Sequence, residues 1–160
     1  MKKLIIFYSL DGNTRFIAQK MAEIIEADIL ELKPEKEIPR IEPFKHFAGS
    51  KRVLFKKASK LKQYNVNLAD YDTLIIGTPV WAFTFAPAIR AFLNENSIQN
   101  KKIILFCTYG SGPGKTFANF ENNLAGNEII GKVGFKKVLK KSKENLKKLK
   151  DFLQSIKEEV

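Results

Sequence analysis

The stretch that most constrains this chain is Ile5-Ile6-Phe7-Tyr8-Ser9-Leu10-Asp11-Gly12-Asn13-Thr14, where an apolar run ends abruptly in a polar turn. A helical pattern follows at once, with apolar residues at Phe16, Ile17, Met21, Ile24 and Ile25. A strand feeding a tight turn that opens a helix aims the turn's free N–H groups at one point, backed by the positive end of the helix dipole. Ser9, Asn13 and Thr14 add side-chain donors there, and Gly12 lets the backbone close around them. That geometry suits a phosphate. Arg15 follows the turn and the nearest lysine is Lys20, so the neutral donors describe a monophosphate ester rather than a triphosphate with magnesium. The alternative is an ordinary β–α turn in which Asn13 or Thr14 caps the helix.

The rest of the chain alternates between the two regular patterns. Ala27–Leu32 has strand periodicity, and Lys33 to Glu42, with prolines at 34 and 39, reads as a loop. Phe44–Leu61 reads as one helix or two short ones in a crossover layer. Tyr71–Gly77 is a buried strand, Thr78–Pro87 a long loop, and Pro87 opens a helix carrying Ile89, Phe92 and Leu93. Lys102–Cys107 forms a fourth strand, followed by a helix with Phe117, Phe120 and Leu124. A fifth strand lies within Ile129–Leu139. The last helix repeats Leu146, Leu149, Leu153, Ile156 and Val160. Strands alternating with helices imply an α/β three-layer sandwich over one domain, residues 1–160, with a five-stranded parallel sheet in the order 2-1-3-4-5. The ligand crevice of such a sheet opens at the carboxyl ends of its strands, so the loops after strands one, three and four share one rim.

Those loops supply the remaining candidate residues. Trp81, the chain's one tryptophan, follows Thr78-Pro79-Val80 and precedes Ala82. It is either a core plug or a stacking surface, and a phosphate cradle nearby favours stacking of a flat phosphorylated ring. Cys107-Thr108-Tyr109-Gly110-Ser111-Gly112-Pro113-Gly114 is rich in glycine, which lets backbone amides approach a ring edge. Gly110 to Thr116 imitates a nucleotide triphosphatase loop. That motif needs four residues between its glycines, and Gly110 to Gly114 encloses three.

The first stretch resembles the flavodoxin signature at Ile5, Ile6, Phe7, Ser9, Gly12, Thr14 and Ala18, with Met21 departing from the usual branched aliphatic residue. Tyr109-Gly110-Ser111-Gly112-Pro113-Gly114-Lys115 resembles the third FMN loop of short flavodoxins. The resemblance implies a flavodoxin-like fold and FMN as cofactor. It implies a cofactor site made of Ser9, Leu10, Asp11, Gly12, Asn13 and Thr14, of Thr78, Pro79, Val80, Trp81 and Ala82, and of Thr108, Tyr109, Gly110, Ser111 and Gly112. Electron transfer is the implied role, because Asp11 is the only acid in these loops and no residue there is an evident acid–base catalyst. An FMN-dependent NAD(P)H or quinone oxidoreductase of the same fold is the second reading. A non-redox binding module is a distant third, since response-regulator chemistry needs clustered aspartates and the first strand ends in Ser9. This chain departs from the family in having Ser111 where an aromatic is common and Ala82 where glycine usually sits beside the flavin N5.

Charge marks another departure, because flavodoxins are usually acidic and this chain carries a net +11. Lys51, Arg52, Lys56, Lys57, Lys60 and Lys62 form one basic run, and nine lysines face only Glu144 between Lys132 and Lys150. These lysines are not interleaved with aromatics and accompany no nucleic-acid motif, so they read as solvated faces for redox partners with acidic docking surfaces. A lone cysteine, Cys107, excludes an internal disulfide and fits a reducing cytoplasm, and a lone histidine, His46, offers no metal cluster. Met1-Lys2-Lys3 before Leu4–Tyr8 imitates a signal peptide, but the apolar segment is too short, and no run approaches the ~20 residues of a membrane span.

Overall fold

The computed structural model describes residues 1–36 and 60–159. In chain order the elements are β1 (Lys3–Phe7), α1 (Asn13–Ile25), β2 (Asp28–Glu31), β3 (Thr73–Trp81), β4 (Thr84–Phe85), α2 (Pro87–Glu95), β5 (Lys102–Tyr109), α3 (Thr116–Asn123), β6 (Glu128–Lys136) and α4 (Ser142–Ser155). Five strands pair in parallel in the order β2-β1-β3-β5-β6, and the short β4 pairs antiparallel with β3. With β4 set aside this is the expected 2-1-3-4-5 arrangement. None of the described helices is long and apolar enough to cross a membrane.

Both faces of the sheet are buried, which is why its central strands read as unbroken apolar runs. Successive side chains of a strand point to opposite faces. Leu4 and Ile6 of β1, Leu74 and Ile76 of β3, and Ile103 and Leu105 of β5 share one core with Ile89 and Phe92 of α2 and Phe120 of α3. Ile5, Phe7, Ile75, Ile104 and Phe106 share the other with Ile17 and Met21 of α1 and Leu149 and Leu153 of α4. The helical stripe of the last helix is therefore its core face, although α4 ends at Ser155 and the buried Ile156 is its cap. Val160 lies outside the described residues, as do His46 and Lys51, Arg52, Lys56 and Lys57.

Three expectations change. β3 does not end at Gly77 but runs on to Trp81, and the expected loop Thr78–Pro87 becomes strand, two-residue turn and β4. Pro79 is compatible with this because β1 pairs β3 only as far as Gly77, leaving no neighbour on that side to require its missing N–H. β5 likewise continues beyond Cys107 to Tyr109. The expected helix over Phe44–Leu61 lies outside the described residues except at its end. There Leu61 is extended, bridging Pro34 antiparallel, with Glu35 N–H donating to Lys60 O and Lys62 N–H to Lys33 O.

Candidate functional site

The carboxyl ends of β1, β3 and β5 open on a cavity of about 560 Å³. Ser9, Leu10, Asp11, Asn13 and Thr14 line it from the first turn, Pro79, Val80 and Trp81 from the end of β3, and Thr108, Tyr109 and Gly110 from the end of β5. Lys137, Leu139 and Lys140, from the segment after β6, complete the wall. Of the residues expected at the site, Gly12, Thr78, Ala82, Ser111 and Gly112 are not on that wall.

The first turn is built by Gly12, whose φ of 83° precedes α1 and leaves the helix start without a side-chain cap. Two side chains beside it accept hydrogen bonds from within the protein. Ser9 Oγ accepts from Arg15 N–H at 3.2 Å, and Asn13 Oδ1 accepts from Leu139 N–H at 3.1 Å. The buried hydroxyls of Thr14 and Thr108 bond each other at 2.8 Å. Arg15 turns away from the cavity: its Nε and Nη2 reach the two carboxylate oxygens of Glu31 at 3.1 and 2.5 Å, and Lys33 joins the same carboxylate at 2.8 Å.

The end of β3 presents Trp81, half-buried, with its edge against Tyr8 at 5.5 Å between centroids and 85° between planes. The two readings of Trp81 merge, since one side packs on the core and the ring also lines the cavity. Thr78 is buried and structural: its hydroxyl accepts from Ala86 N–H at 3.0 Å and donates to Pro79 O at 2.9 Å. Trp81 pairs with Thr84 across a turn in which Ala82 and Phe83 both have positive φ, 47° and 65°. A two-residue hairpin demands this conformation, and it normally recruits Asn or Gly.

The third loop holds that turn. Gly114, at φ 55°, packs so tightly that a Cβ there would lie 2.7 Å from Phe83 O, and Lys115 N–H donates to the same oxygen at 2.8 Å. Gly110 and Gly112 have no protein atom within 4 Å of an added Cβ. Burial pushes the Tyr109 hydroxyl upward, with the neighbouring Cys107 adding to the effect. Burial likewise pushes the Cys107 thiol up to about 12, only partly offset by Lys148, so this thiol is inert near neutral pH.

Lys137, Leu139 and Lys140 were not foreseen as site residues. Their run of lysines reads as a solvated face, and the sole hint was that the last parallel strand ends on the same rim.

No functionally curated protein matches the sequence. Among solved structures, a flavoprotein of Lactobacillus acidophilus NCFM in complex with FMN is similar, at 23% identity and TM-score 0.70, over 88% of this chain and 97% of that one. A provisionally designated flavoprotein of Bacteroides uniformis shares 25% identity with TM-score 0.78, over 92% and 96%. A flavodoxin from the domain Archaea shares 17% with TM-score 0.56, over 98% and 99%. The flavodoxin family model matches residues 2–154, and with it the chain belongs to the flavodoxin family.

Proposed function

We propose that this cavity binds FMN and that the protein is an electron carrier. One observation carries the FMN reading: the side-chain oxygens of Ser9 and Asn13 already accept from within the protein, which leaves their hydrogens as donors on a wall where Asp11 is the one carboxylate. Ser9 keeps its hydroxyl hydrogen and Asn13 its amide hydrogens, because their oxygens already accept from Arg15 and Leu139. The Thr14–Thr108 pair has two hydroxyl hydrogens, and the bond between them uses one. A phosphate monoester, with acceptors only, fits such a surface beside an uncapped helix start. Trp81 and Tyr109 supply the aromatic wall that a flat ring requires. When bound, FMN supplies reversible electron uptake, while the chain supplies binding, orientation and shelter from water.

The carrier role is supported by what lines the cavity. Asp11 is the one carboxylate on its wall, and the Cys107 thiol is buried and protonated, so no group is poised for bond-making chemistry. The basic surface favours an acidic redox protein as partner, and reduction by that partner should slow as salt is added. The buried, unpaired Cys107 fits a reducing cytoplasm.

Titration of the purified protein with FMN and with riboflavin tests the site. FMN should bind far more tightly, and equal binding of the two would reject the phosphate cradle. NAD(P)H consumption with a quinone and no protein partner would replace the carrier by an oxidoreductase.

A further inference from the structure

We propose that Lys137 and Lys140 form the charged half of the phosphate site, making it selective for the dianionic form of a phosphate monoester. This rests on the reading of the cavity as an FMN site and adds a positive charge that the first turn, whose one ionisable side chain is Asp11, lacks. Arg15, the cation nearest that turn in sequence, is held by Glu31 and cannot serve. The charge arrives instead from the other end of the chain.

The segment carrying it is held in place on three sides. Lys137 adopts φ 48° and ψ 52° at the end of β6, and its N–H donates to Tyr109 O at 2.8 Å. The single 3-10 turn Val138–Lys141 follows, with Lys140 and Lys141 N–H both bonding Lys137 O at 3.0 Å. Val138 is fully buried, and Leu139 N–H donates to Asn13 Oδ1 on the first turn. Leu139 Cδ1 stands 3.8 Å from where a Cβ on Gly12 would be. A left-handed, non-glycine residue is unfavourable, and here the surrounding contacts enforce it. The result places two lysines on the wall that Ser9, Asn13 and Thr14 also line.

Neither lysine is in an ion pair among the described residues. Their neighbours mostly have partners: Lys132 pairs with Glu121, Lys141 with Glu144 and Lys147 with Asp151. Lys148 donates to Gly134 O. On the cavity wall the two lysines outweigh Asp11 and leave a net positive charge. A phosphate monoester passes from one to two negative charges with a pKa near ~6, so the lysines act most strongly on it above that pH.

The test uses Lys137→Gln/Lys140→Gln in the full chain, with Lys143→Gln on the exposed face of α4 as control. FMN and riboflavin affinities are measured by fluorescence quenching at several salt concentrations, and at pH 5 and 7.5. The double variant should bind FMN roughly five- to fiftyfold more weakly at pH 7.5 and low salt, with riboflavin unchanged. Its FMN affinity should vary less with salt and with pH than that of the unaltered protein. Three results overturn the proposal: unchanged FMN binding, equal losses for FMN and riboflavin, or the same loss in the Lys143 control. Unchanged FMN binding with slower electron exchange with an acidic protein would assign the lysines to docking and reject the subsite. If the unaltered protein binds FMN no better than riboflavin, the cradle itself fails, a result distinct from a cradle that works without its lysines.

Discussion

Two turns stand on the same rim, one after β1 and one after β3, and they obtain their left-handed backbone by opposite routes. The first places glycine where φ is 83°, so the conformation is intrinsic to the local sequence. The second places alanine and phenylalanine at 47° and 65°, where each side chain costs about 1–2 kcal/mol. Contacts from elsewhere hold it there. Gly114 packs on Phe83, Lys115 bonds Phe83 O, and Asn119 Nδ2 donates to Thr84 Oγ1 at 2.7 Å. One turn is made by its own residues and the other is imposed by a loop some thirty positions away.

The largest effect should come from breaking the imposed turn's support. Gly114→Ala introduces a Cβ within 3 Å of Phe83 backbone atoms at a positive φ, and should lose roughly 2–4 kcal/mol in urea unfolding. Gly12→Ala meets nothing nearer than Leu139 Cδ1 at 3.8 Å and should lose only ~1–2 kcal/mol, the conformational penalty alone. Equal losses would erase the distinction between the turns.

Next in size is the hydroxyl pair beneath the first turn. Thr14→Ala leaves the buried Thr108 hydroxyl without its partner and should cost roughly 1–3 kcal/mol of stability, with Thr14→Ser recovering most of it. Stability and FMN affinity must therefore be measured together. A fully stable alanine variant would mean that the pair contributes nothing to the fold.

Relieving the second turn should act in the other direction. Ala82→Gly should stabilise the protein by about 1 kcal/mol, seen as a raised thermal midpoint without FMN. Because Ala82 is already left-handed in the protein chain itself, the relief belongs to the ligand-free fold. A lowered midpoint would show that alanine packing outweighs the strain.

The smallest effect concerns Glu31, which holds Arg15 away from the first turn. Burial acts to raise its carboxyl pKa, but the hydrogen bonds from Arg15 and Lys33, with their charges, outweigh burial and hold it below the ordinary value. A depressed pKa in the fold contributes stability that is present above the unfolded value of ~4.3 and is lost as pH falls through the folded value. The pair is partly exposed and screened, so the contribution is at most about 1 kcal/mol. Glu31→Gln should flatten the acid limb of the stability curve below about pH 4, and parallel curves would remove this role.

Much of this molecule is legible in the order of its residues. The unbroken apolar runs Leu4–Tyr8, Leu74–Ile76 and Ile103–Phe106 read as strands buried on both faces, and helical stripes between them point to a parallel sheet. Gly12 and the donors around it marked the first turn because their chemistry is local. Pro79 looks like a breaker in the sequence, which ends the expected strand at Gly77, and its tolerance depends on β1 having ended alongside.

What the residues determined alone was the strands, their parallel pairing and the donor-rich turn after β1, since each follows from periodicity, the alternation of elements or turn chemistry. Tertiary structure decided the rest of the site. It turned Arg15 toward Glu31, set Trp81 edge-on to Tyr8, forced Ala82 and Phe83 left-handed under Gly114, and brought Lys137 and Lys140 beside residues more than a hundred positions earlier. No local preference encodes those outcomes, because each is a contact between segments that meet only when the sheet has closed its register.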